Sequence, residues 1–394
     1  MVVHSLPRWL PLTATWLYTQ VRRLPLDIES HIVCDSTENL DQFRIPNLHR
    51  RRNPRDSFHY VRKLWHPRPS KVLGRVARRH GARLLHSHWG DAAWGDLADA
   101  RRLLVPQVAT FYGKDVNYMP ASNPLWRNRY RELFASVALV LCEGPHMADR
   151  IVALGCAKER VAVHHLGVDV ERIAFQPRRW AGGKLRALLA GSFREKKGFP
   201  DALQALGRLL QDGLDVEVTV IGDASADPRS QPEKERILES IRRGGLHDRV
   251  RLLGYQPHEV FLREAYSHHL FISPSRTAND GDTEGGAPVT LIEVAASGMP
   301  IVSTRHCDIP MVVLDGRTGL LADEGDVEGL HRHLRRWVDR PADWETMLEA
   351  GRRHIEAEFS AAIQAERLAS IYRSLAGSVQ SGALRRGPEP ASRG

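Results

Sequence analysis

The chain has 394 residues, 42% hydrophobic and 26% charged, an ordinary composition for a folded protein with length enough for two domains, each with its own core. No window approaches the roughly 20 apolar residues of a membrane span, and the first residues lack a basic stretch leading into an apolar core and a cleavage site, so a cytoplasmic protein is expected. The formal charge of +9 is unevenly distributed, and the four cysteines, Cys34, Cys142, Cys156 and Cys307, show no metal-ligand spacing, which points to reduced thiols rather than disulfides or zinc.

In chain order, LPLTATWLYTQVRRL predicts a first helix capped by Thr13 or Thr15, with Trp16 and Tyr18 facing the core or a lipid. HIVCDS (31–36) reads as a strand. Between Arg50 and Arg83 twelve Lys or Arg residues stand against one acid, Asp56, interleaved with Phe58, Tyr60, Leu64 and Trp65. That mixture suits an anionic membrane face or nucleic acid, or is simply a solvated basic surface. RLLHSHWG (83–90), QVATFYG (107–113), LVLCEG (139–144) and RVAVHHLGVD (160–169) read as further strands separated by helices, the rhythm of an open parallel sheet. His86 and His88 point the same way from one strand end, but spacing supplies no third ligand, which favours a cleft or packing role over a metal. Asp115, in TFYGKDVN, is either a polar group of a cleft or the cap of a turn.

The turn-rich FQPRRWAGGK (175–184) reads as a linker, after which alternation resumes with RALLAGSF, DVEVTVIGDA, RVRLLGYQ, LFISPS, PIVST and GLLADEG. A second doubly wound sheet is therefore expected. The first of these strands runs into REKKGF, which places Arg194, Lys196 and Lys197 at a strand's C-terminal end, where open α/β sheets bind ligands and where cations attract phosphate.

The densest information lies in TEGGAPVTLIEVAASGMP (283–300). Pro288 predicts the first residue of a helix and Gly298 its stop, so Gly285 and Gly286 lead into a helix N-terminus whose N–H groups, near Val289 and Thr290, would cradle an anion. Glu284 before the loop and Glu293 inside the helix are placed to hold sugar hydroxyls on either side of a bound diphosphate. Together these features suggest a nucleotide-sugar. Asp280-Gly281-Asp282 lies in this loop rather than after a strand, which argues against a metal-binding pair.

This segment resembles the signature of the family-4 retaining glycosyltransferases: two glutamates eight positions apart, a small-residue helix, Gly-x-Pro-Ile-Val and a later Asp-Gly-x-x-Gly. The matching residues are Glu284, Glu293, Gly298, Pro300, Ile301, Val302, Asp315, Gly316 and Gly319. Glu284 and Glu293 are nine apart, so a one-residue bulge at Gly285 and Gly286 is needed to bring Glu284 to the first position. The resemblance covers nearly the whole chain. It implies the GT-B fold, an α/β architecture of two doubly wound domains facing across a cleft: an acceptor-side domain (1–178), a donor domain (179–355), a helix crossing back (356–377) and a disordered tail (378–394).

It also implies site roles. Lys197 matches the lysine that neutralises the leaving diphosphate. Ser192 stands where the family has an arginine, with Arg194 as the candidate replacement. Tyr112 stands where the Thr-Phe-His-Gly-x-Asp turn has its histidine beside the donor sugar, and Asp115 ends that turn. An acceptor-binding loop would lead into the first helix. Gly254 and Tyr255, in LLGYQPHE, belong to the loops that read base and sugar. The expected activity is metal-independent transfer, with no cofactor, from a UDP- or GDP-sugar to a glycan or lipid-linked saccharide. The enzyme would lie on the inner, anionic face of the plasma membrane and would not bind nucleic acid. An epimerase on the same fold is the alternative enzyme. A nucleic-acid binder, lacking any recognition motif, is the remote one.

Overall fold

The computed structural model describes residues 1–11, 14–51 and 69–383, the last six of these by backbone only. Two parallel sheets carry the molecule. The first has seven strands: β1 (Val2–Trp9), β2 (Ser30–Thr37), β3 (Leu48–Arg50), β4 (Leu84–His88), β5 (Gln107–Thr110), β6 (Leu139–Cys142) and β7 (Val161–Val163), ordered 3-2-1-4-5-6-7. The second has six, β8 (Leu185–Ala190), β9 (Val216–Ile221), β10 (Val250–Leu252), β11 (Leu270–Ser273), β12 (Ile301–Thr304) and β13 (Leu320–Ala322), in the order β10-β9-β8-β11-β12-β13. This is the expected pair of doubly wound domains.

Helices cover both faces of each sheet, so central strands must be apolar throughout. LLHSH of β4 is buried at every position, and VEVTVI of β9 at all but one. The four edge strands have three residues each, which limits unpaired backbone. β1 was not expected, because His4, Pro7 and Arg8 interrupt its pattern. Pro7 is tolerated since it lies past Ser5, the last residue that pairs with β4. Thr15 does not cap the first helix but begins it, after Ala14; Thr13 lies outside the described residues.

The final helix, Ala361–Ala383, returns to the first domain. Its Leu368, Ala369 and Tyr372 pack with Val2, Leu84, Val108 and Leu141 of the first sheet, and Arg373 pairs with Asp27 at 2.9 Å. It runs past the expected end at 377; residues 384–394 of the expected tail lie outside the described residues. Most of the basic segment also lies outside them. Arg51, counted within that segment, is an internal ion-pair residue rather than a surface charge. It is 7% exposed, 3.7 Å from Asp96 and 3.6 Å from Asp35. Among the described residues no helix is long and apolar enough to cross a membrane.

Candidate active site between the two sheets

The glycine loop and helix form as their composition dictates, with one shift. Pro288 is the N-cap, in extended conformation (φ −56°, ψ 129°), and the helix is Val289–Ala296. Gly285 has φ +80° and Gly298, just past the helix, φ +78°, conformations that favour glycine. The helix joins β11 to β12, which pair in parallel, and its N-terminus faces the first domain.

Glu284, nearly buried, is held by Lys197, whose Nζ lies 2.9 and 3.0 Å from its two oxygens, and by the Ser275 hydroxyl at 2.9 Å. Burial works against ionisation here, but Lys197 and Lys196 outweigh it and hold the carboxyl down at about 2. Thus two residues 87 positions apart, each expected at the donor site, meet. Lys196 donates to the Thr283 carbonyl at 2.7 Å and reaches Asp282 at 3.4 Å. Arg194 is held at both ends, by Asp227 at 3.0 Å and Asp282 at 2.6 Å. Two carboxylates therefore neutralise the residue expected to replace the family's arginine. Asp280 pairs with Arg229 at 2.7 Å, so both acids of the Asp280-Gly281-Asp282 stretch are matched to guanidinium groups. Ser192 is half-buried in the loop after β8.

Glu293, 8% exposed, accepts a hydrogen bond from His258 Nε2 at 2.6 Å, and that bond raises the His258 pKa. His258 opens the His258–Ser267 helix directly after the loop of Gly254, which is in left-handed conformation and bonded through its carbonyl to Gly222, and Tyr255, which is exposed. His258 carries no signal of its own in the sequence; its place beside two loop residues named for recognition is the clue.

From the first domain, the Tyr112–Asp115 turn meets the glycine loop. A Cβ on Gly285 would collide with the Gly113 Cα, and a Cβ on Gly113 with the Glu284 carbonyl. Asn117 donates to the Thr283 hydroxyl at 2.8 Å. Tyr112 packs at a tilt against Trp16 (4.6 Å between ring centres), and its hydroxyl lies 2.6 Å from His88 Nδ1. Asp115 turns out to hold the turn: its oxygens accept from the Tyr112 N–H at 2.9 Å and the Gly90 N–H at 2.8 Å, and burial lifts its carboxyl to about 7. The third imidazole absent from the His86/His88 spacing is His4, brought alongside by the β1–β4 register, with its Nδ1 3.1 Å from His88 Nε2. All three rings are buried, and His86 is bonded through both nitrogens, to Tyr372 and Thr110.

Two further acids stand beside the glycine loop. Glu143, directly after β6, presses its carboxylate where a Cβ on Gly286 would stand. Burial, then Asp308, Asp115 and Glu284, raise its pKa well above the usual carboxylate range. Asp308 reaches from the second domain to cap the Pro145–Ala153 helix of the first, accepting from the His146 N–H at 2.7 Å and the Met147 N–H at 3.3 Å. Glu143 follows a strand at its C-terminal end, the one position rule that points to it.

The arrangement can hold an anion at a helix N-terminus beside a lysine, with carboxylates on two sides. Residues 170–354 match the family model described as glycosyl transferases group 1, and residues 13–172 match that of glycosyltransferase family 4. The chain is 32% identical over 293 residues to the amylovoran biosynthesis glycosyltransferase AmsK of Erwinia amylovora, covering 74% of this chain and 70% of that one. It is 30% identical over 313 residues to the putative colanic acid biosynthesis glycosyltransferase WcaL of Escherichia coli, covering 78% and 74%. Among solved structures, Anabaena Alr3699/HepE in complex with UDP and glucose superposes with a TM-score of 0.74 at 15% identity, over 95% of this chain and 99% of that one, a likeness of fold.

Proposed function

The chain belongs to the family-4 glycosyltransferases, and from that premise we propose that it moves a sugar from a nucleoside-diphosphate sugar, UDP- or GDP-linked, to a glycan acceptor, with retention of anomeric configuration. The observation that carries this reading is the meeting of Lys197 and Glu284 at the glycine loop before the Val289–Ala296 helix, where the Gly113 backbone of the first domain abuts that loop. Departure of a diphosphate leaves negative charge on phosphate and positive charge on the sugar, so electrostatic stabilisation does most of the work. In this reading Lys197 and the free N–H groups of Val289 and Thr290 take the diphosphate, Glu284 the sugar hydroxyls and Glu293 the ribose. Tyr112 offers its hydroxyl beside the sugar. Arg194, Lys196 and Asp282 hold the donor loop in shape. The bound diphosphate competes with Glu284 for Lys197, and no divalent metal is required.

AmsK and WcaL are named for amylovoran and colanic acid biosynthesis, which supports an acceptor on the way to an exopolysaccharide; we take that acceptor to be lipid-linked. The basic segment of residues 50–83, apart from Arg51, supports attachment to an anionic cytoplasmic membrane face. Sedimentation with anionic vesicles at low salt, lost near 1 M salt and absent with neutral vesicles, tests that attachment. The activity itself is tested by nucleoside diphosphate release that requires a saccharide acceptor, persists in EDTA and yields a product whose anomeric configuration, read by NMR, matches the donor. Conversion of the donor without an acceptor would favour an epimerase instead.

A further inference from the structure

Toward the N-terminal ends of the first sheet's strands, away from the cleft, four chemistry-bearing side chains come together from separate parts of the chain. Glu29 precedes β2 and His31 is its second residue. Val33 shares the face of His31 and pairs with His49 of β3, which brings the two imidazoles side by side. His80 ends the Lys71–Arg79 helix. His31 Nε2 lies 2.8 Å from Glu29 Oε1, and His31 Nδ1 lies 3.0 Å from His49 Nε2. The rings of His31 and His80 are 4.1 Å apart. One donor atom from each of Glu29, His31 and His80 falls within 4.8 Å of the others.

We propose that Glu29, His31 and His80 hold a divalent transition-metal ion of zinc type, with His49 as the hydrogen-bond partner that orients His31. In a tetrahedral zinc site the metal-ligand bonds of about 2.0–2.1 Å put donor atoms about 3.4 Å apart. Glu29 and His80 are exposed and can rotate in by the remainder, while His31, 1% exposed, is the fixed member. Without metal, a proton on His31 Nε2 lies between that nitrogen and Glu29. A metal ion takes its place when His31 moves its proton to Nδ1 and donates to His49 Nε2, while His49 moves its own proton from Nε2 to its other ring nitrogen, the pairing by which metal-bound imidazoles are commonly oriented.

Two imidazole nitrogens and one carboxylate oxygen select zinc, cobalt or nickel over magnesium or calcium. The exposure of Glu29 and His80 gives the ion access from solvent and leaves a fourth position for water. The buried trio His4, His86 and His88 makes a weaker candidate, since both nitrogens of His86 and of His88 are engaged, with Tyr372, Thr110, Tyr112 and His4, and of the trio's ring nitrogens only His4 Nε2 is left without a partner among the described residues. The bound ion would tie the start of β2 to the end of the Lys71–Arg79 helix.

The test titrates Zn2+ into the full-length, metal-stripped protein by calorimetry, with Co2+ absorption as the readout of coordination. The same titrations are run on His80→Ala and Glu29→Gln, both at exposed positions where folding should survive, as circular dichroism can verify. The proposal expects one equivalent of Zn2+ with micromolar affinity or tighter, a Co2+ spectrum of four- or five-coordinate type, and affinity at least tenfold weaker in each variant. Absence of stoichiometric binding, or binding of wild-type strength in either folded variant, overturns it.

Discussion

Gly113 and Gly285, from different domains, lie so close across the cleft that a Cβ on Gly285 would collide with the Gly113 backbone. The Tyr112–Asp115 turn and the glycine loop touch where two glycines permit it. Gly285 also sits at φ +80°, where an L side chain costs roughly 1–2 kcal/mol before any clash. Gly285→Ala should therefore reduce turnover by more than tenfold and lower thermal stability. A variant with wild-type activity would remove the contact, and the bulge that places Glu284, from the account.

Lys197→Ala should lower kcat by about 10²–10³, the usual effect of removing one group that stabilises developing charge. It should also change the acid limb of stability. Because Lys197 and Lys196 hold Glu284 down at about 2, that carboxylate's contribution is present above its unfolded value, about 4.3, and is lost as pH falls toward 2. Denaturant melts between pH 6 and pH 2.5 should show a steeper loss in the wild type than in Lys197→Ala.

His258, raised by its bond to Glu293, contributes to stability below its unfolded value of about 6.5, and that contribution is lost as pH rises through its higher folded value. While protonated, it claims the carboxylate assigned to the ribose. Nucleoside diphosphate should thus bind at least threefold more tightly at pH 8.5 than at pH 6. Replacing His258 with Gln should flatten the profile; an equally steep profile in the variant would leave His258 out of the site.

For Glu143 the shift has the opposite sign from that of Glu284. Burial and three neighbouring acids raise its pKa, so the folded state favours the protonated form and stability declines as pH climbs from the unfolded value toward the folded one. Glu143→Gln, which mimics the protonated acid, should match the wild type near pH 5 and exceed it in melting temperature at pH 8. A lower melting temperature at pH 8 would mean that the carboxylate is ionised and engaged.

Both sheets and most of their strands are legible in the chain, because a parallel sheet covered on two faces must be written as apolar runs such as VEVTVI and LFIS. The exceptions have local causes: β1 carries His4, Pro7 and Arg8, and β3 is a three-residue edge. That Lys197 and Glu284 come together is legible from a basic loop at a strand's C-terminal end and an acid before a glycine loop, and the positive φ of Gly285 from its being glycine. Other tertiary partners are not. Nothing near His86 announces His4, and nothing near Arg194 announces that Asp227 and Asp282 will neutralise it. Asp115 illustrates the middle case, a residue type equally suited to a cleft or a cap, decided only by which N–H groups the fold delivers.

The central claim is a nucleoside-diphosphate site read by Glu293 at the start of the second domain's Val289–Ala296 helix. Thermal shift against a panel of nucleoside diphosphates and their sugars, for the wild type and Glu293→Ala, tests it most directly, since a ligand that binds only the folded state at about 100 times its Kd adds about 2.7 kcal/mol of stability. The account predicts that UDP or GDP, with its sugars, raises the wild-type melting temperature by several degrees and that the variant loses most of the rise. No shift with any nucleotide, or an equal shift in Glu293→Ala, would contradict it.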